Sequence, residues 1–135
     1  EGASGIEILV AEDDAVNQRI IRAVLEKSGY IVRAVGDFAA LRQSLEHGVS
    51  RLPDLIVSDL NMPGGDGLQA LPDLLHMLQG ERNIPVIVLS GDTSDATAEI
   101  LLKAGVGAIL TKPADPRRLV EEIRRLLEAK RLSLS

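Results

Sequence analysis

Four short apolar runs each end on a polar or charged residue, and this recurrence constrains the fold more than any other feature of the chain. Ile8-Leu9-Val10-Ala11 runs into Glu12-Asp13-Asp14, and Leu55-Ile56-Val57-Ser58 runs into Asp59. Val86-Ile87-Val88-Leu89 runs into Ser90, and Ala108-Ile109-Leu110-Thr111 runs into Lys112-Pro113. Segments of helical periodicity separate the runs, a pattern that reads as α/β with a parallel sheet. Parallel strands all point the same way, so their tips meet at one edge. Ligands bind at that edge, beside the topological switch point. Several carboxylates, a hydroxyl and an ammonium gathered there suit divalent-metal-assisted phosphoryl transfer to an aspartate, with Asp59 as the acceptor.

The remaining elements follow in order. Ile6 to Ala11 is the first strand. Val16, Ile20, Val24 and Leu25 recur at helical spacing from Ala15 to Ser28, and Gly29 is the stop. Tyr30 to Val35 is the second strand. Phe38 to Glu46 is a short helix carrying Leu41 and Leu45, closed by Gly48. Leu55 to Ser58 is apolar enough for a strand buried on both faces. The stretch from Asn61 to Gly67 is a loop, and Asp66 can cap the next helix with Gln69 three residues on. Pro72 sits badly in that helix, because it removes a hydrogen bond and crowds the preceding turn. It predicts either a kink or a helix whose regular part begins near Pro72. Val86 to Ser90, Ser94 to Ala104 (stopped by Gly105), Gly107 to Thr111 and a helix from Pro116 complete the pattern. Leu119, Ile123, Leu126 and Leu127 of the last helix face inward. Residues 1–5 read as a linker, 6–131 as one domain and 132–135 as a tail.

Composition narrows the function classes. At 135 residues there is room for one domain with a real core, and the 45% hydrophobic content supplies it. With only Tyr30 and Phe38 as aromatics, that core is aliphatic. A net charge of −5 and a pI near 5.0 argue against direct contact with nucleic acid or with an anionic membrane. The absence of cysteine rules out disulfides and thiolate metal sites. No apolar stretch approaches a membrane span and no secretory signal is visible, so a cytoplasmic location is expected, or the cytoplasmic side of a membrane for a domain of a sensor kinase.

With five strands, five helices and these tips, the chain resembles the receiver domain of two-component response regulators. The motifs that carry the resemblance are Glu12-Asp13, Asp59, Ser90 and Lys112-Pro113, with Met62-Pro63 and Asp66-Gly67 after the aspartate. The run from Glu12 to Asn17 is similar to receivers fused to hybrid sensor histidine kinases. The resemblance implies a flavodoxin-like (βα)5 fold, a five-stranded parallel sheet in order 2-1-3-4-5 with helices on both faces. It implies that Asp59 is phosphorylated. Mg2+, with Mn2+ as an alternative, would sit on Glu12, Asp13, Asp59 and the backbone carbonyl of Asn61, with Asp13 a direct ligand and Glu12 acting mainly through water. Lys112 would pair with Asp59 or a phosphoryl oxygen, Ser90 would hydrogen-bond the phosphoryl group, and the Lys112–Pro113 bond would be cis. One departure stands out. The family's aromatic switch position, three residues before the lysine, is Ile109, so Ser90 and Ile109 would form the switch without a ring.

Each assignment has a plainer alternative. Asp59 could be a solvated strand-end carboxylate, Lys112 a surface charge and Ser90 a turn residue. The acidic pair could cap the first helix, a role Asp14 can fill instead; the register leaves Asp13 or Asp14 as the direct ligand. His47 and His76 have no ligand partners at suitable spacing and read as surface residues. For function, the resemblance implies a receiver that catalyses its own side of phosphoryl transfer from the dimerisation domain of a histidine kinase or from a histidine phosphotransfer domain. A hybrid kinase would house it, or it would stand alone as a response regulator. A haloacid-dehalogenase-type phosphohydrolase shares the residue types. There the nucleophile follows the first strand, with a second Asp two residues on; here the acidic pair comes first and that later position is Asn61. A non-catalytic module of the same fold would have lost Asp59 or Lys112. The chain ends soon after the fifth helix, so no effector domain is expected to follow. The sequence leaves oligomeric state open.

Overall fold

The computed structural model describes residues 5–46, 52–63, 65–78, 84–92 and 94–134. Strands and helices alternate: β1 (Glu7–Ala11), α1 (Ala15–Lys27), β2 (Ile31–Val35), α2 (Phe38–Leu45), β3 (Leu55–Asp59), α3 (Gly67–Leu78), β4 (Val86–Ser90), α4 (Asp95–Lys103), β5 (Ala108–Thr111) and α5 (Pro116–Leu134). The five strands are parallel and ordered β2-β1-β3-β4-β5, the expected sheet.

Pleating divides the sheet into two apolar faces. Leu9, Ala11, Ile56, Val86 and Val88 pack with Phe38, Leu41, Leu71, Leu74 and Leu101 of α2, α3 and α4. Ile8, Val10, Leu55, Val57, Ile87 and Leu89 pack with Leu25, Leu119 and Ile123 of α1 and α5. β1, β3 and β4 are buried along their whole length. This is why they read as unbroken apolar runs with no alternation.

Local signals set the helix ends. Asp14 caps α1 through its side chain, which accepts from the amides of Val16 at 2.8 Å and Asn17 at 3.1 Å. After α1 and again after α4, a positive-φ glycine (Gly29, Gly105) closes the same paired turn. Tyr30 N donates to Leu25 O and Val106 N to Leu101 O, each at 3.1 Å.

Three expectations change. The regular part of α3 does not wait for Pro72; the helix runs from Gly67 with Pro72 inside it. Asp66 fixes that early start, since its side chain accepts from Leu68 N and its carbonyl from Gln69 N and Ala70 N. Burial of Leu71, Leu74 and Leu78 holds the helix across the hydrogen bond that proline cannot make. The apolar stripe of α1 is split, with Leu25 buried while Val16 is 61% and Ile20 52% exposed. α5 continues to Leu134, so 132–134 form its last turn. Of the expected linker only Gly5 is described, and His47 and Gly48 lie outside the described residues. His76 is exposed on α3. No described helix is long and apolar enough to cross a membrane.

Candidate functional site

Strand register builds the site. Ala11 lies opposite Ser58, so Glu12 and Asp59 are each one residue further along adjacent strands. Between β1 and β3 the strand order reverses, which places these carboxylates at the switch point. Ser90 lies opposite Thr111, and Lys112 N donates to Ser90 O at 2.9 Å, so Lys112 leaves the sheet beside β4. The Lys112–Pro113 peptide is cis, as expected.

Asp59 is 2% exposed and its Oδ2 accepts from Lys112 Nζ at 2.8 Å. Its Oδ1 accepts from Asn61 N at 3.1 Å. Lys112 Nζ also lies 3.7 Å from Glu12 Oε1. Carboxylate oxygens of Glu12, Asp13 and Asp59 all fall within 4.8 Å of one another. Asp14 is outside this cluster, and its side chain caps α1 instead.

The electrostatics are unbalanced. Three carboxylates face one ammonium. Glu12 is 1% exposed; its Oε2 accepts from Asp14 N, while its Oε1 has no hydrogen-bond donor. Burial pushes the Glu12 carboxyl pKa up. The Asp59 charge pushes the same way, against the opposing pull of the Asp14 amide and Lys112. For Lys112, burial works against the charged form, but the hydrogen bond to Asp59 and the charges of Asp59, Glu12 and Asp13 outweigh it, and its pKa is raised. A buried anionic oxygen without a donor, within a hard oxygen cluster of net charge −2, is a donor set that fits Mg2+.

Ser90 is buried at the tip of β4, but its hydroxyl donates to Asp92 O at 3.0 Å and accepts from Asp92 N at 2.9 Å. Ile109 is half-buried opposite Val88 and packs on the α2–α4 face of the core.

Sequence reasoning passes over three features. Gln18 Nε2 donates to Glu12 O at 2.9 Å and to Val35 O at 3.3 Å, tying the acidic loop to α1; a polar residue one turn after the cap was its signal. A Cβ on Gly67 would overlap the Leu60 carbonyl oxygen. The third is a cleft of about 330 Å3 between α1 and the start of α5, lined by Ile20, Ile21, Val24, Pro113, Pro116 and Leu119. Glu12 and Lys112 stand at its wall, so the outward half of the α1 stripe opens beside the acidic site.

Comparisons with known proteins agree with this fold. The family model described as the response regulator receiver domain matches residues 8–124. The sensory/regulatory protein RpfC of Xanthomonas campestris pv. campestris is 33% identical over 119 residues, 87% of this chain but only 16% of RpfC. An uncharacterized 14.6 kDa protein of Leptolyngbya boryana is 32% identical, with 85% of each chain covered. Among solved structures, the signal receiver domain of a signal transduction histidine kinase from Syntrophus aciditrophicus is 31% identical at a TM-score of 0.72, covering 93% of this chain and 92% of that one. On this sequence match and this fold, the chain belongs to the response regulator receiver domain family.

Proposed function

We propose that the domain accepts a phosphoryl group on Asp59 from a phosphohistidine of a partner protein, on the cytoplasmic side of a two-component phosphorelay. The observation that carries the reading is the 2.8 Å bond from Lys112 Nζ to Asp59 Oδ2 inside the three-carboxylate cluster. A carboxylate oxygen of Asp59 attacks phosphorus and a P–O bond forms. The P–N bond to imidazole breaks, its electron pair returns to the ring nitrogen, and the product is an acyl phosphate. The developing charge on the phosphoryl oxygens needs fixed positive groups and donors more than it needs covalent help. Lys112 supplies one charge, and the Ser90 hydroxyl supplies a donor once it turns inward.

Glu12, Asp13 and Asp59, with the Asn61 carbonyl, would hold Mg2+ or Mn2+, which neutralises charge on the phosphoryl group. The apolar cleft beside Lys112 favours a protein donor over a small one, since Ile20 and its neighbours offer surface that a partner helix can cover. A histidine kinase dimerisation domain or a histidine phosphotransfer domain fits that role. A place within a hybrid sensor kinase is supported by similarity to a histidine kinase receiver. The stand-alone alternative is supported by the match along most of a 14.6 kDa protein.

The test is incubation with a small phosphodonor and Mg2+, followed by reductive trapping and mass spectrometry. One acid-stable, base-labile phosphate at position 59 is expected. Phosphate that persists in Asp59→Asn refutes the assignment.

A further inference from the structure

We infer that Asp92 and Thr97 form a hydrogen-bonded latch that sets whether the Ser90 hydroxyl is turned to its own loop or to the Asp59 site, so that phosphoryl uptake repositions the start of α4 without an aromatic side chain. The inference rests on the phosphorylation of Asp59 proposed above, and it makes Asp92 and Thr97 positioning residues that act through Ser90.

A serine hydroxyl has a single proton to donate. In this structure that proton is committed to Asp92 O, and the Asp92 amide donates back to Ser90 Oγ. To bond a phosphoryl oxygen on Asp59, Ser90 must release the Asp92 carbonyl. The Asp92 peptide is then free to reorient, but its side chain is not. The Asp92 carboxylate accepts from Ser94 N at 2.9 Å and from Thr97 Oγ1 at 2.7 Å. Thr97 is buried in the first turn of α4. Its amide donates to the N-cap Ser94 Oγ at 3.3 Å, and Ser94 Oγ donates to Thr97 Oγ1 at 3.1 Å. These three bonds run one way, from the Thr97 amide through the Ser94 and Thr97 hydroxyls to the Asp92 carboxylate.

The hydroxyl of Thr97, and then the donors of Ser94, hold the Asp92 carboxyl below its ordinary pKa, so the acceptor stays charged. A displaced Asp92 peptide must drag Thr97 or lose these bonds, and Thr97 carries the first turn of α4 with it. Ile109, on the neighbouring strand, has neither ring nor hydroxyl to transmit the same movement.

The test compares the wild type with Thr97→Val, Thr97→Ser, Ser90→Ala and the Ser90→Ala/Thr97→Val double variant. Initial phosphorylation rates with acetyl phosphate and Mg2+ are measured, together with amide chemical shifts with and without beryllofluoride. Thr97→Val weakens the latch, so its rate rises about three- to tenfold, the size of one net hydrogen bond. Thr97→Ser keeps the hydroxyl and stays near the wild type. In the Ser90→Ala background Thr97→Val has no effect on rate, because the latch has nothing to hold. Beryllofluoride shifts the α4 amides strongly in the wild type and weakly in Thr97→Val. Asp92→Asn provides the same rate comparison if Thr97→Val does not fold. A Thr97→Val protein with wild-type rate and shifts overturns the latch, as does a rate change that persists without Ser90. Failure of the underlying reading looks different: the wild type itself takes no phosphate at Asp59, and that result overturns both.

Discussion

Replacing Glu12 by glutamine should stabilise the metal-free protein, although it removes a charge from the ion pair with Lys112. Glu12 Oε1 lies 3.7 Å from Lys112 Nζ, and the three carboxylates fall within 4.8 Å of one another. At an effective dielectric of about 20, the lysine returns roughly 4–5 kcal/mol, while Asp13 and Asp59 at that limit each cost roughly 3–4 kcal/mol. Charge alone therefore leaves no net gain. What remains is a buried anionic oxygen without a donor, a cost on the order of 1–3 kcal/mol. Glutamine keeps an oxygen for the Asp14 amide and turns an amide donor toward the Asp59 side of the site. The pKa direction gives the same sign. A carboxyl raised in the fold binds its proton more tightly folded than unfolded, so wild-type stability falls as pH rises from the unfolded value of 4.5 through the raised one. Above the raised value the whole penalty is present, and the amide escapes it. In EDTA, the midpoint of thermal unfolding followed by circular dichroism should rise by roughly 3–10 °C for a domain of this size. In millimolar Mg2+ the gap should close or reverse, because the variant loses part of the RT ln(1 + [L]/Kd) that binding contributes. A variant no more stable than the wild type in EDTA at neutral pH would refute the reasoning and mean that Lys112 more than offsets the burial.

The two neighbouring aspartates should separate cleanly. Asp14→Ala loses a cap and about 1 kcal/mol while keeping its Mg2+-dependent rise in melting temperature, whereas Asp13→Asn loses that rise; equal Mg2+ responses in the two variants would count against the assignment. The stability gap between the wild type and Lys112→Gln should hold steady to about pH 10 and close above it, since a lysine raised in the fold stabilises fully below its unfolded value and loses this as pH climbs through the folded one. Urea unfolding across alkaline pH reads this, and a constant gap would contradict the Lys112–Asp59 pair. Gly67→Ala should destabilise by several kcal/mol, because the new Cβ meets a backbone carbonyl that cannot swing aside; a change under about 0.5 kcal/mol in urea unfolding would show that α3 shifts freely.

The sequence by itself determined the layered fold and the residues at the carboxyl edge of its sheet. Strands buried on both faces must be apolar along their length, and a chain leaving such a strand must become polar, so Asp59, Glu12 and Lys112 announce themselves by position. Local hydrogen bonding made the Asp14 cap and the stops at Gly29 and Gly105 equally legible. Tertiary structure decided the rest. Helical periodicity records which residues share a stripe and is silent on what covers it, so only the packed fold shows Ile20 lining an open cleft and Val16 exposed while Leu25 is buried. Proline propensity argues against a helix through Pro72, but burial of Leu71, Leu74 and Leu78 outweighs one missing hydrogen bond. A hydroxyl at a strand tip has several partners in reach. That Ser90 bonds Asp92, and that Asp92 in turn holds Thr97, depends on how the backbone after β4 brings Asp92 back to the first turn of α4, a local closure of hydrogen bonds. No pattern of residue types encodes that closure.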